Sequence, residues 1–221
     1  AREYCQHLFL SAFYRRHAAD KVLFKGGTAL RIIYGSPRFS EDLDFSGFGT
    51  RKPAIEELIT DTLSAIERVG VSIEIEEAKA TSGGYLGIVH NRFGDYHVEI
   101  RLEISLRDRT AVKPETALIA GDFLPAYTLL HLPQELLVEE KLKALLDRAK
   151  PRDFYDLYFM LRKGLLPQKR RHLLAEALAR LKQMKPESLQ ELKLFLPRDH
   201  QTMAKDFRGT LERELRRYLG K

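Results

Sequence analysis

The chain has 221 residues, 44% of them hydrophobic and 31% charged, with a formal net charge of +6, and it can bury a substantial core. Its only cysteine, Cys5, excludes an intrachain disulfide and a cysteine-based metal cluster, so a reducing, cytoplasmic setting is expected. The apolar run 8–10 is far too short for a signal or membrane-spanning segment, so no membrane partner is expected.

The first elements in chain order are a helix, a strand and a glycine turn. Apolar residues recur at helical spacing between positions 4 and 13, and Cys5 fits their packed face. Residues 22–24 predict a strand, Gly26 and Gly27 a turn, and residues 28–34 a helix. Free N–H groups at that helix start make Gly26, Gly27 and Thr28 a candidate phosphate cradle. An ordinary turn is the alternative.

Two aspartates follow the turn at residues 35–37. Asp42 and Asp44 alternate with Leu43 and Phe45, so a strand here would bury the apolar pair and direct both carboxylates to the other face. Parallel carboxylates repel each other unless a cation lies between them, and Mg²⁺ typically accepts such oxygens. The pattern predicts a Mg²⁺ or Mn²⁺ site, the alternative being a solvated pair at a strand end.

The middle of the chain predicts further helix and strand segments. Residues 52–70 predict a helix, 71–75 a strand, 82–84 a hairpin turn, 85–89 a strand and 91–95 another turn, whereas 114–132 is interpreted as irregular chain covering the site. The clearest strand is 98–106, where apolar residues alternate with Glu99, Arg101 and Glu103. This polar face offers further carboxylate ligands, or else a solvated surface with an internal ion pair.

Two helices are predicted after residue 133. In the first, Lys141 lies on the apolar stripe formed by residues 137, 138, 144 and 145. An inward lysine needs an anionic partner, which a nucleotide triphosphate or a carboxylate would supply. In the second, Asp153 is interpreted as the N-cap, with Asp156 three residues on completing a capping-box-like arrangement, the alternative being that Asp153 is a site residue. Asp156 also lies on an apolar wall with Phe159 and Met160, which favours a site role for it.

The C-terminal part is the basic part of the chain. Residues 140–221 carry 21 Lys and Arg against 11 Asp and Glu, a net charge of +10, whereas the other 139 residues carry −4. Helical spacing recurs at 168–184, 186–196 and 200–219, and Lys169, Arg170 and Arg171 form a dense cation cluster. Such a surface suits the phosphate backbone of RNA, although a solvated helix surface would look the same.

Together these elements predict an α+β fold, in which a mixed sheet with flanking helices is followed by a C-terminal helical lobe. The sheet is expected over roughly residues 20–106, with its strand order undetermined. We expect residues 1–132 to form the core lobe and residues 133–221 a basic helical lobe that completes the active site.

Two parts of the sequence resemble the nucleotidyltransferase fold, and specifically the AbiEii/AbiGii-type toxin family that includes the MenT toxins. They are the blocks Lys25–Leu30 with Arg38–Phe45, and Glu139–Leu157. Polymerase-like members of the wider superfamily carry Gly-Ser where this chain has Gly27-Thr28, and threonine keeps the hydroxyl. The resemblance implies metal-dependent transfer of a nucleoside monophosphate from an NTP to a tRNA 3′ end. It also implies a toxin of a bacterial toxin–antitoxin or phage-defence (abortive infection) system, with a cognate antitoxin as partner.

The resemblance also implies roles for individual residues. A third metal ligand is needed beside the aspartates, and we assign Glu103 rather than Glu99 because the family's third acid lies in the corresponding Leu-Glu-Ile-Ser segment. Lys141 would neutralise triphosphate charge, and Asp156 would orient Lys141 or the nucleotide. The expected metal ligands are Asp42, Asp44 and Glu103, and the expected phosphate contacts are Gly26, Gly27, Thr28 and Ser40. Ser40 could also be an ordinary turn serine.

Two other functions stay open. The first is a non-catalytic nucleotide-sensing module that acts through a protein partner, and the intact set of mutually repelling acids argues against it. The second is nucleotidylation of a protein or small-molecule hydroxyl, against which the basic C-terminal part favours RNA. The sequence identifies neither the NTP nor the tRNA.

Overall fold

In a computed structural model, which describes residues 1–107 and 112–220 and, for Pro186, the backbone alone, the chain folds as two compact units. Unit 1 comprises Ala1–Ile33 and Glu41–Pro133, and unit 2 comprises Tyr34–Ser40 and the chain from Gln134 onward. The segment Tyr34–Ser40 therefore folds with the C-terminal helices, although it connects two elements of unit 1.

Unit 1 is a seven-stranded mixed sheet with helices. The helices are α1 (Arg2–Phe13), α2 (Gly26–Ile32) and α3 (Lys52–Glu67), with a 3₁₀ segment at His17–Lys21; the strands are β1 (Val22–Lys25), β2 (Leu43–Phe48), β3 (Ser72–Thr81), β4 (Gly84–Phe93), β5 (Tyr96–Arg107), β6 (Glu115–Ile119) and β7 (Tyr127–His131). The strand order is β3-β4-β5-β2-β1-β7-β6, in which β2 is parallel to β5 and β1 is parallel to β7, while the other neighbours are antiparallel.

The core of unit 1 follows from the strand periodicity. Leu102 and Ile104 of β5 are buried, as are Leu43 and Phe45 on the neighbouring strand β2, so the intervening polar residues lie on the opposite face. Phe45 also packs against aromatic rings from α1 and β1, with centroids 5.2 to 6.3 Å apart. Each such fully buried side chain contributes about 1.5–3 kcal/mol of apolar burial, which fixes the register of β2.

Unit 2 is helical. Its members are α4 (Gln134–Arg148), α5 (Pro151–Arg162), α6 (Leu173–Gln183), α7 (Leu192–Phe195) and α8 (Phe207–Leu219), with 3₁₀ segments at Gln168–Arg170, Pro186–Glu191 and Arg198–Asp206. The three C-terminal helices expected at 168–184, 186–196 and 200–219 are thus each broken into a 3₁₀ segment and a shorter α-helix. Apolar spacing of i, i+3 is common to both helix types, which explains why the pattern did not separate them.

The expectation of irregular chain at 114–132 is wrong, because this segment holds the strands β6 and β7. Leu129 and His131 are buried at alternate positions of β7, and Phe24 of β1 pairs with His131. The sheet therefore extends well past residue 106. Two strands are also longer than expected: β3 runs to Thr81 and β4 runs to Phe93, so the second turn contains only Gly94 and Asp95.

Candidate functional site

The glycine turn and the acidic strand meet in unit 1. In the antiparallel pair of β1 and β2, Lys25 is opposite Asp44, and α2 begins at the next residue, Gly26. Gly26 has φ +86°, and a Cβ on it would lie only 2.1 Å from Oδ2 of Asp44. Both the backbone conformation and the close approach of the carboxylate therefore require glycine here. The segment expected to be a helix from 28 to 34 is a seven-residue helix that starts at the glycines.

Asp44 and Glu103 are register partners on the parallel strands β2 and β5. Because paired residues of neighbouring strands share a face, both side chains lie on the side opposite to the buried Leu43 and Phe45. Asp42 is half-buried and lies immediately before β2. The structure thus brings Asp44 and Glu103 to neighbouring positions, with Asp42 two residues from Asp44.

The hydroxyl of Thr28 makes an interaction that the sequence did not predict. The side chain is fully buried, and its hydroxyl donates to the backbone carbonyl of Asp42 at 2.5 Å. The hydroxyl therefore anchors the chain entering β2 instead of being presented to a phosphate. Phosphate contacts from this turn would have to come from backbone N–H groups.

An arginine accompanies the acids. Nε of Arg101 donates to Oε1 of Glu103 at 2.8 Å, and both side chains are roughly half exposed. The hydrogen bond to Glu103, with the negative charges of Asp42 and Glu77, raises the pKa of Arg101. To bind a metal ion, the Glu103 carboxylate would have to give up this hydrogen bond with Arg101.

Among the described residues, the group of three potential ligands whose donor atoms all lie within 4.8 Å of one another is Glu76, His90 and Glu99, and not the expected acids. Nε2 of His90 is 2.6 Å from a carboxylate oxygen of Glu76, and His90 is the register partner of Glu99. Glu99 precedes Glu103 by four residues, or about 13 Å along β5. The two groups are separate places on the sheet, and either donor set could hold a cation.

The second cluster of charged residues lies within unit 2. Nε and Nη2 of Arg38 donate to Oδ1 and Oδ2 of Asp156 at 2.8 and 3.1 Å, and Nζ of Lys141 donates to Oδ2 at 2.8 Å. The side-chain exposures are 5% for Arg38, 2% for Asp156 and 13% for Lys141. Burial alone would raise the pKa of the Asp156 carboxyl, but the Lys141 ammonium and the Arg38 guanidinium outweigh burial and hold that pKa below its ordinary value.

Lys141 is directed inward as its helical position predicted, and its anionic partner is Asp156. The interpretation of Asp156 as part of a capping box is wrong, because its carboxylate is fully engaged by the two cations. Sequence reasoning missed Arg38 as the second cation. The available signal was its place in the block Arg38–Phe45, four residues before Asp42.

Asp153 caps its helix, although not as the N-cap. The helix α5 begins at Pro151, so Asp153 is its third residue, and its carboxylate accepts the backbone N–H of Lys150 at 3.1 Å. Arg148 completes the arrangement with two hydrogen bonds of 2.9 and 2.7 Å to the same carboxylate. Ser40 is not on the face of a strand with Asp42, since it belongs to the segment before β2.

The expected RNA-binding cations are partly engaged within unit 2. Lys169 forms an ion pair with Glu135, and Arg170 forms one with Glu139. The guanidinium of Arg171 lies 5.6 Å from the ring centroid of Tyr218. The positive charge of Lys169 and Arg170 is therefore reduced by acidic neighbours on α4.

Cys5 is buried, which raises the pKa of its thiol to about 11.

None of the described helices combines the length and the apolar character that crossing a membrane would require.

Comparisons with known proteins place this arrangement in a family. The chain matches the family model described as "Nucleotidyl transferase AbiEii toxin, Type IV TA system" over residues 8–220. No curated protein matches the sequence.

Two solved structures share the fold. JHP933 from Helicobacter pylori is similar at 22% identity with a TM-score of 0.63, over 99% of this chain and 94% of that one. MenT4, a nucleotidyltransferase toxin from Mycobacterium tuberculosis, is similar at 18% identity with a TM-score of 0.61, over 98% and 82%. Since the family model covers nearly the whole chain and the fold agrees, this protein belongs to the AbiEii nucleotidyltransferase toxin family of type IV toxin–antitoxin systems.

Proposed function

We propose that this nucleotidyltransferase is metal-dependent and transfers a nucleoside monophosphate from an NTP to RNA, with a tRNA 3′ end as acceptor. The observation that carries the proposal is the pairing of Asp44 with Glu103 on neighbouring parallel strands, with the Asp44 carboxylate held against Gly26. Membership of the family implies a nucleotide substrate and an antitoxin partner. The acceptor and the metal are our inference.

The donor set fits a hard divalent cation. Asp42, Asp44 and Glu103 offer carboxylate oxygens only, which suits Mg²⁺ or Mn²⁺ better than softer metals. The Asp44 carboxylate already lies where a Cβ on Gly26 would be, so backbone approaches the acids closely. A cation bound there would polarise the α-phosphate of the nucleotide and neutralise part of its charge.

The reaction then makes one bond and breaks one. The oxygen of an acceptor hydroxyl would bond to the α-phosphorus and give up its proton to solvent water, while the bond from that phosphorus to the bridging oxygen breaks and pyrophosphate leaves. Negative charge grows on the pyrophosphate as it leaves. Within unit 2, the two cations around the single carboxylate of Asp156 keep one net positive charge, which suits Lys141 to an anionic group such as a triphosphate.

The proposed RNA contacts are Lys169, Arg170 and Arg171. Two of them are paired with acids, so their contribution depends on exchanging Glu135 and Glu139 for RNA phosphates. Exposed ion pairs of this kind contribute only about 0–1 kcal/mol. An RNA backbone that releases counterions on binding can therefore displace them.

The proposal is tested by finding where the nucleotide goes. The purified protein is incubated with each NTP labelled at the α-phosphate, with total bacterial RNA, and with Mg²⁺, Mn²⁺ or a chelator. We expect label in tRNA-sized species that nuclease removes and protease does not, and none with the chelator. Label that protease removes would identify a protein acceptor instead, and labelling that persists with the chelator would contradict metal dependence.

A further inference from the structure

We propose that Arg38 is a positioning residue, whose guanidinium holds Asp156 so that Asp156 in turn fixes the Lys141 ammonium in the orientation used on the triphosphate. This inference rests on the proposed function, because that function gives Lys141 its role. Arg38 itself is assigned no contact with substrate.

The hydrogen bonds of the Asp156 carboxylate show how the three residues depend on one another. Arg38 uses two nitrogens, one to each carboxylate oxygen, at 2.8 and 3.1 Å. Oδ2 also accepts from Lys141 at 2.8 Å. A planar guanidinium fork that binds both oxygens fixes the plane of the carboxylate. The oxygen that receives Lys141 is therefore held in one place.

Arg38 is itself held on the other side. Its Nη1 donates to the carbonyl of Phe39 at 2.9 Å, and the backbone N–H of Phe39 donates to the carbonyl of Phe195 on α7 at 2.8 Å. The segment Tyr34–Ser40 is thus tied to unit 2 by its backbone as well as by the ion pair. A lysine at position 38 would keep the charge but could not make the fork.

The burial of the three charges argues against a role in stability alone. An ion pair buried this deeply seldom stabilises a fold more than apolar residues of the same volume would. Two cations around one carboxylate leave an excess positive charge, and Lys141 is the most exposed of the three. We infer that the excess positive charge binds an anion at Lys141. An apolar core of the same volume could not do so.

Unit 2 contains a matched pair that serves as a control. Arg148 makes the same two-nitrogen contact with the carboxylate of Asp153, which is 1% exposed. The Asp153 carboxylate also accepts a hydrogen bond from the backbone N–H of Lys150, whereas the Asp156 carboxylate accepts one from a lysine side chain. Losing the Arg148 fork should weaken the start of α5, but less than losing the Arg38 fork weakens the fold, because the Arg148 side chain is 43% exposed and that of Arg38 is 5% exposed. It should leave Lys141 unaffected.

The test compares Arg38→Lys with Arg148→Lys. For each variant, thermal unfolding gives the folded fraction, and steady-state assays give kcat and KM for the NTP. Nitrogen NMR follows the Lys141 ammonium. Its signal is assigned by its loss in Lys141→Arg. We expect Arg38→Lys to lower kcat by about tenfold or more while KM stays within about threefold, because misplacing a transition-state contact costs turnover. The Lys141 signal should move or broaden. Arg148→Lys should keep kcat within about twofold and leave that signal in place.

Two results would overturn the proposal: wild-type kcat per folded molecule in Arg38→Lys, or an equal loss in Arg148→Lys. If Arg38→Lys does not fold, Arg38→Gln replaces it under the same criteria. Should the wild type transfer to no acceptor, the proposed function fails, but the NMR signal still decides the present inference. An unchanged Lys141 signal in a folded Arg38 variant would then reject it.

Discussion

In the proposed function, Lys141 stabilises negative charge on the triphosphate. A lysine that lies against buried apolar residues has been removed from water, so its charge can be used at close range on a phosphate. We expect Lys141→Ala to raise the barrier to transfer by about 2 to 4 kcal/mol, comparable to the loss of one preorganised donor. Steady-state kcat measures this.

Lys143 provides the control for that measurement. It lies two positions further along α4 and is exposed, so Lys143→Ala should turn over at the wild-type rate. Equal kcat values for the wild type and Lys141→Ala would remove Lys141 from the mechanism.

Asp156 predicts a pH dependence of stability. Its pKa in the folded protein lies below the ordinary value of 3.8, despite burial, because of Lys141 and Arg38. The unfolded chain therefore binds more protons in this range, so the stabilisation is fully present above the unfolded pKa and is lost as the pH falls through the folded pKa. We expect Asp156→Asn to unfold more easily near neutral pH and to lose part of the wild-type decline in acid.

Urea unfolding of both proteins between about pH 2.5 and pH 6 tests this, since the slope of the free energy of unfolding against pH counts the protons taken up. A variant with the full wild-type slope would show that Asp156 does not titrate as described.

Residues that stand out by their spacing among apolar neighbours could be singled out from the sequence, whereas interactions between distant residues could not be predicted. Asp42 and Asp44 show themselves by alternating with apolar neighbours. Arg38 does not, because its partner Asp156 is 118 residues away. The hydrogen bond of the Thr28 hydroxyl could not be predicted for a related reason: its partner is a backbone carbonyl, and no pattern of residue types marks a carbonyl.

At the scale of elements, the elements predicted best are those with a full period of alternation. The strand β5 alternates over its whole length, and α4 and α5 carry regular apolar stripes, so the sequence predicts these elements, although it misassigned the capping roles of Asp153 and Asp156 at the start of α5. The strands β6 and β7 have only five residues each and lie beside Pro114 and Pro125, which favoured the interpretation as irregular chain. The 3₁₀ segments of unit 2 were missed because they share the apolar spacing of α-helices.

The strands on either side of β5 distinguish its two acids, Glu103 and Glu99. Glu103 is opposite Asp44, whereas Glu99 is opposite His90. We expect Glu103→Gln to lower kcat by about a hundredfold or more, and to weaken Mg²⁺ binding measured by calorimetry, since a metal ligand is lost.

Glu99→Gln removes an acid from the same strand and face and should leave both quantities near wild type. The reverse outcome, loss in Glu99→Gln alone, would move the metal to the group of Glu76, His90 and Glu99.

At the scale of the whole molecule, the uneven charge predicts how RNA binds. If RNA phosphates replace Glu135 and Glu139 as partners of Lys169 and Arg170, then removing those acids should free the cations. We expect Glu135→Gln with Glu139→Gln to bind RNA more tightly, and reversal of residues 169–171 to Glu to bind it more weakly. Affinity should fall steeply with salt in all cases.

Gel-shift titrations at several salt concentrations measure these affinities, and calorimetry with an NTP measures the nucleotide site separately. NTP binding should be unchanged in both sets of variants. RNA affinity that ignores all of these changes would place the RNA interface elsewhere.

The proposed function requires that the carboxylates beside the glycine turn catalyse nucleotidyl transfer. To test this, the wild type and Asp44→Ala are each incubated with Mg²⁺, RNA and the same NTP, labelled either at the α-phosphate or at the γ-phosphate. Asp61→Ala, on the exposed side of α3, is the control for folding. We expect the wild type to transfer the α-label to RNA and to release the γ-label as pyrophosphate. We expect Asp44→Ala to do neither, while unfolding at a temperature close to that of the wild type. Wild-type transfer by Asp44→Ala, or γ-label in the acceptor, would contradict it.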